Sequence, residues 1–147
     1  MSYKHFINPV ETVKRIMTYT IKEGQIAIDC TVGNGNDTLF LASLVGENGR
    51  VYGFDIQNQA IDIAREKLSK AGFAKRVILI KDGHENIDKY IFDKVDFIVY
   101  NLGYLPSGDK SIKTTTFTTL KSLKKSLALL KSSGLLLITC YIGHEGG

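Results

Sequence analysis

Residues 29–38 read Asp29-Cys30-Thr31-Val32-Gly33-Asn34-Gly35-Asn36-Asp37-Thr38. They follow the apolar run Ile26-Ala27-Ile28 and lead into Leu39-Phe40-Leu41-Ala42. The pattern is a buried strand closing on an acid, a loop with two glycines, and a helix from Asp37 to Val45. Glycine lacks a Cβ and tolerates positive φ, so Gly33 and Gly35 let the backbone turn sharply and approach a ligand. A dinucleotide fingerprint places a third glycine three residues after the second, where this chain has Thr38. A lone G-x-G also describes an ordinary tight turn, so the rest of the chain has to decide between the two.

Outward from this stretch, strand and helix patterns alternate. Before it, Asn8-Pro9-Val10-Glu11 is a helix start, with Asn8 as cap, Pro9 at the first helical position and Glu11 in the first turn. That helix is expected over 9–23, with Gly24 ending it. After the loop come strands at 51–54, 77–80, 95–100 and 135–141, and helices at 58–71 and 84–90. A helix of about 18 residues precedes the last strand. On it Leu120, Leu123, Leu127 and Leu130 are expected to face the sheet, with Lys121, Lys124 and Lys125 opposite. Strands alternating with helices imply right-handed crossovers and a mostly parallel sheet with helices on both faces, a doubly wound α/β domain of Rossmann type. One domain is expected over 1–147, built as the N-terminal helix plus an α/β core over 25–147.

The composition agrees. The chain has 147 residues, 44% hydrophobic and 23% charged, enough for a single domain with a real core. No apolar run approaches the roughly 18 residues of a membrane span, and no secretory signal is visible, so a cytoplasmic protein with no membrane association is expected. Cys30 and Cys140 have no metal-binding spacing, and no metal is expected; each is read as a small buried hydrophobe. The net charge of +4 lies wholly in the second half, where residues 110–131 hold six lysines and no acid. That suits a polyanionic partner, and equally a solvated helix face.

Every notable polar cluster falls at a strand's carboxyl end, where doubly wound folds bind ligands. Asp29 to Thr38 follow the first strand. Asp55, with Gln57 behind it, follows the second and suits a pair of ribose hydroxyls. Asp82-Gly83-His84 follow the third, placed to meet an adenine. Asn101-Leu102-Gly103-Tyr104 follow the fourth. NAD(P) and S-adenosylmethionine both fit. Asp29, four residues before Gly33, favours a ligand with an ammonium over one with a pyrophosphate, and Thr38 points the same way.

The order Asp29, Gly33-x-Gly35, Asp55, Asp82, Asn101 resembles class I S-adenosylmethionine-dependent methyltransferases. More narrowly, DCTVGNGNDTLFLA, FDIQNQAI, NLGYLPSGDKSIKTTTFTT and GHEGG resemble the MnmM/YtqB-like family, long labelled rRNA methylases. The likeness runs from Asn8 to Gly147. This chain has Ser107 and Glu145 where the family usually has Gly and Pro.

The resemblance implies S-adenosyl-L-methionine as cofactor, bound through Asp29, Gly33, Asn34, Gly35, Asn36, Asp37, Thr38, Asp55, Gln57, Asp82, Gly83, His84 and Asn101. It implies a tRNA substrate, recognised at its anticodon stem-loop. There the amine of 5-aminomethyl-2-thiouridine at the wobble position becomes 5-methylaminomethyl-2-thiouridine. Asn101 and the Leu102 carbonyl would accept hydrogen bonds from the amine and leave its lone pair aimed at the methyl. Tyr104 would stack on the uracil, Asp109 or His144 would take a proton, and Lys110, Lys113 and Thr115 would meet the RNA. Thr114 to Thr116 are read as caps of the following helix. The alternatives are an rRNA or small-amine methyltransferase, and a non-catalytic cofactor- or RNA-binding module. A homodimer fits the resemblance. The usual seven strands against the five placed here suggest a C-terminally shortened form.

Overall fold

The computed structural model describes residues 8–103 and 110–140, and of 110–115 the backbone alone. Helix α1 spans Pro9–Thr20, and the Asn8 side chain caps it by accepting from Val10 N at 3.0 Å and Glu11 N at 3.4 Å. It stops short of the expected 23 because Ile21 turns extended and packs into the core, 6% exposed. Strand β1 (Ile26–Asp29) leads into α2 (Asn36–Val45), and β2 (Arg50–Asp55) into α3 (Asn58–Ala71). Strand β3 (Val77–Lys81) is followed by a 3₁₀ turn over His84–Lys89. Strand β4 (Val95–Leu102), helix α4 (Lys110–Leu129) and strand β5 (Leu130–Cys140) complete the described fold.

The five strands pair in the order β3-β2-β1-β4-β5, every pair parallel. Strand order reverses at β1, so a crevice opens between the carboxyl ends of β1 and β4. The period-two alternation of the strands builds a core on each face. On one face Ala27, Phe97 and Val99 meet Met17 of α1, Leu41 of α2 and Leu68 of α3. On the other, Ile28, Ile98 and Tyr100 meet Ile87 of the 3₁₀ turn and Leu123 and Leu129 of α4. Asp96 fastens the lower edge, its carboxylate accepting Ile26 N at 2.9 Å and pairing with Lys131 at 3.0 Å.

Helix α4 departs from its expected orientation. Leu120 and Leu127 are 57% and 60% exposed, while Thr119, Ser122 and Ser126 form the buried face. The reason is the hydroxyl of buried Tyr100, which needs hydrogen-bond partners inside the core and finds them on the two serines. The helix begins at Lys110, so Thr114 to Thr116 lie within it and not ahead of its first turn. Its last turn is closed instead by Lys94, whose Nζ donates to the Ala128 carbonyl at 2.9 Å. Strand β5 starts earlier than expected, because Leu130 already pairs with Val95; the ladder then breaks and resumes at Phe97 with Leu135. Cys30 is buried as expected, whereas Cys140 is exposed. Among the described residues no helix is long and apolar enough to cross a membrane.

Candidate functional site

The glycine loop is shaped from within by Asp29. Its Oδ1 accepts Thr31 N at 3.0 Å and its Oδ2 accepts the Thr38 hydroxyl at 2.7 Å. That is why a threonine, not a glycine, stands at position 38: it satisfies a carboxyl wholly withdrawn from water. Burial pushes the Asp29 carboxyl up to about 7, against the Thr38 hydrogen bond, which pulls it down. The expected contact of Asp29 with a ligand ammonium is therefore not open in this structure. The residue has no exposed surface.

Gly35 also serves the scaffold. At φ +83° a Cβ there would lie 2.9 Å from the Ala64 Cβ of α3, so the missing side chain lets two helices close together. Lys67 of α3 holds the outside of the same loop, donating to the Asn34 carbonyl at 2.8 Å and Asn36 Oδ1 at 2.9 Å. Of the loop's expected ligand contacts, Gly33 alone faces the cleft described next.

That cleft, about 480 Å³, lies at the switch point. Its floor is Cys30, Thr31 and Gly33. Asp55 forms one wall, held by Gly33 N at 2.9 Å and Gln57 N at 3.0 Å. Each carboxylate oxygen accepts one amide and keeps a further lone pair for a ligand. The Gln57 side chain stays outside the lining. Asp82, Gly83, His84 and Glu85 form the second wall. The Tyr90 hydroxyl and the Asn86 amide hydrogen-bond the Asp82 carboxylate and hold it below its usual range. Burial pulls the His84 imidazole below its usual range, against Glu85 and Asp55, and its Nδ1 is buried with no hydrogen-bond partner among the described residues. Asn101 closes the third side, its N–H donating to Thr31 Oγ1 at 2.7 Å across the β1–β4 crevice. Asp37 stands behind Asn101 on α2; burial raises its carboxyl, while Lys14 and the Asn101 amide pull it back.

Among the described residues the lining carries three carboxylates, on Asp55, Asp82 and Glu85, and no lysine or arginine. The Gly33 amide is already taken by Asp55, and Asp37 occupies the first turn of α2, where a phosphate would otherwise sit. The cleft thus suits a cationic ligand with hydroxyls, and opposes a pyrophosphate. Among the described residues no cluster of His, Cys, Asp and Glu is arranged to hold a metal ion.

Asp55, Asp82, Gly83, His84 and Asn101, expected at one site, all line this cleft. Cys30, Thr31, Ile56, Glu85, Thr118 and Thr119, which complete the lining, were not among the expected site residues. A threonine two residues past the strand-ending acid was the available signal for Thr31. The α4 threonines gave none, because their placement depends on which way the helix turns. Leu102 ends β4 half-buried. Tyr104, Asp109 and His144 lie outside the described residues, as do the side chains of Lys110, Lys113 and Thr115.

A parallel sheet in this order, with carboxylates at the carboxyl ends of β2 and β3 and an asparagine at that of β4, is the Rossmann-like methyltransferase fold. Comparison with known proteins narrows it. The rRNA methylase family matches residues 51–147, and the protein-L-isoaspartate(D-aspartate) O-methyltransferase family matches 1–97. The second match stops within β4 and so ends before Asn101. An rRNA methylase from Clostridium thermocellum is 50% identical with a TM-score of 0.80, over 89% of this chain and 70% of that one. A methyltransferase from Streptococcus mutans, solved in complex with SAH, is 42% identical with a TM-score of 0.77, over 90% and 72%. The chloroplastic tRNA (mnm(5)s(2)U34)-methyltransferase of Arabidopsis thaliana is 38% identical over 93% of this chain and 54% of its own length. The chain belongs to the rRNA methylase family. It spans about half the length of that curated plant relative.

Proposed function

We propose that this protein is an S-adenosylmethionine-dependent tRNA methyltransferase, acting on the amine of 5-aminomethyl-2-thiouridine at the wobble position. The observation that carries the cofactor is the cleft at the switch point, lined by the carboxylates of Asp55, Asp82 and Glu85. Bound there, S-adenosylmethionine would supply a methyl group already activated by its positive sulfur. The plant relative's name supports the substrate, together with the resemblance around Asn101.

The residues divide the work by position. Asp55 offers acceptors for a ribose diol, and Asp82 and His84 offer polar groups to a base. Asn101 stands at the opposite side of the cleft, on the strand end that points away from the sheet. Methyl transfer needs an amine that has lost its proton and whose lone pair is aimed within about 3 Å of the methyl. Asn101 Oδ1 and the Leu102 carbonyl accept hydrogen bonds from the amine and leave the lone pair free. The three carboxylates favour an approaching ammonium, and the proton passes from it to solvent or to an acceptor of the wall. A dimer and a cytoplasmic location belong to this same reading.

Nucleoside mass spectrometry tests it. Unmethylated tRNA incubated with the protein and cofactor gains one CH₂ on aminomethyl-thiouridine. A ribosomal RNA small subunit methyltransferase H from Oceanobacillus iheyensis is 34% identical over 56% of the chain. A gain on ribosomal RNA, with tRNA unchanged, would replace the tRNA assignment with that one.

A further inference from the structure

Tyr100 is the residue immediately before Asn101, and its hydroxyl sits in the core between two serines one helical turn apart on α4. The Tyr100 oxygen is 2.6 Å from Ser122 Oγ and 2.7 Å from Ser126 Oγ, and all three residues have no exposed surface. Ser122 Oγ in turn donates to the His84 carbonyl at 3.1 Å. Each hydroxyl has a single proton, so the direction is determined. Ser122 spends its proton on His84, and must therefore accept from Tyr100. Tyr100 then accepts from Ser126. The chain runs one way: Ser126 to Tyr100 to Ser122 to the His84 carbonyl.

A second tie lies beside it. Lys125 Nζ donates to the Glu85 carbonyl at 2.7 Å and pairs with Asp88 at 2.9 Å. Two successive carbonyls of the turn after β3 are thus held by side chains of α4. The His84 ring packs edge-on against Tyr100, with centroids 5.3 Å apart. That turn is the second wall of the cleft, and α4 itself lends Thr118 and Thr119 to the lining one turn before Ser122.

We infer that Tyr100, Ser122 and Ser126 form a directional hydroxyl relay that positions the His84 wall of the cofactor cleft and couples its occupancy to the placement of α4. The inference rests on the cleft holding S-adenosylmethionine. The three are positioning residues, since none of their hydroxyls reaches the cleft. A one-way relay makes its members unequal. Removing Ser122 releases the His84 carbonyl. Removing Ser126 leaves Tyr100 still donating to Ser122 and the wall still held.

The test compares Ser122→Ala with Ser126→Ala in the full chain. SAH affinity is read by calorimetry, KM for the cofactor and kcat by methyl transfer, and wall mobility by amide hydrogen exchange over residues 83–90. Each variant loses one buried hydroxyl from the same helix, so a merely structural role would weaken both alike. The relay instead predicts SAH binding about tenfold weaker for Ser122→Ala and within about threefold of wild type for Ser126→Ala. It also predicts a raised cofactor KM at little-changed kcat for Ser122→Ala, and faster exchange of the turn in that variant alone. Equal effects, or a turn whose exchange does not respond to Ser122→Ala, would overturn the relay. Wild-type protein that fails to bind SAH, while Ser122→Ala still frees the turn, would overturn the cofactor reading and leave the wall-holding role standing.

Discussion

Asp29 carries a carboxyl that the fold has taken out of water, and its cost depends on pH. The folded carboxyl holds its proton up to about 7, while the unfolded chain releases it near 3.8. Across that interval the native state binds the extra proton, so this residue's contribution to stability falls as pH rises. Asp29→Asn cannot ionise, though it gives up one acceptor. The melting temperature of the variant relative to wild type should therefore climb from about pH 4 to about pH 8. A constant difference would show that Asp29 is already ionised in the fold. On the proposed function, Asp55 belongs to binding and Asn101 to chemistry. Asp55→Ala should weaken SAH binding about tenfold or more, because the Gly33 and Gln57 amides lose their acceptor along with the ligand. Asn101→Ala should cut kcat far more than cofactor affinity, since Thr31 holds its backbone and not its side chain. Equal losses of both would make Asn101 a cofactor ligand or a structural residue.

Among the elements, the close approach of α2 and α3 rests on a single absent methyl. Gly35→Ala places a Cβ 2.9 Å from Ala64 at a left-handed φ of +83°. The strained backbone and the overlap together should cost about 2–4 kcal/mol, visible in denaturant unfolding. A loss near zero would mean that the helices separate freely. Helix α4 shows how an element's type and its orientation are decided by different things. Its apolar spacing announced a helix, yet Leu120 and Leu127 face outward and the serines face in. Burying leucine yields a modest, non-directional gain, whereas leaving the Tyr100 hydroxyl unpaired in the core would carry the full desolvation penalty. The two serines, four residues apart, were the available signal, and it is readable only with Tyr100 opposite them.

For the whole molecule, the uneven charge now has an address. Of the lysines expected on the solvent face of α4, Lys121 and Lys124 are exposed, but Lys125 is engaged with Glu85 and Asp88. Lys121→Glu with Lys124→Glu should weaken tRNA binding and lower its salt slope by about 1–2, as two fewer counterion-displacing contacts require. Filter binding across a salt series checks this, and an unchanged slope would mark the face as merely solvated. The sequence by itself determined the strand and helix alternation, the parallel sheet, and the carboxyl-end placement of Asp55, Asp82 and Asn101. These follow from local periodicity and from the handedness of crossovers, which short stretches of chain carry within themselves. Only the tertiary structure decided that Asp29 and Gly35 serve the scaffold, that Thr31 steadies Asn101, and that α4 reaches the His84 wall of the cleft through the Ser122 hydroxyl. Each of those depends on partners from distant parts of the chain, 70 residues apart in the case of Thr31 and Asn101, and no local pattern records what a buried polar atom will find opposite it.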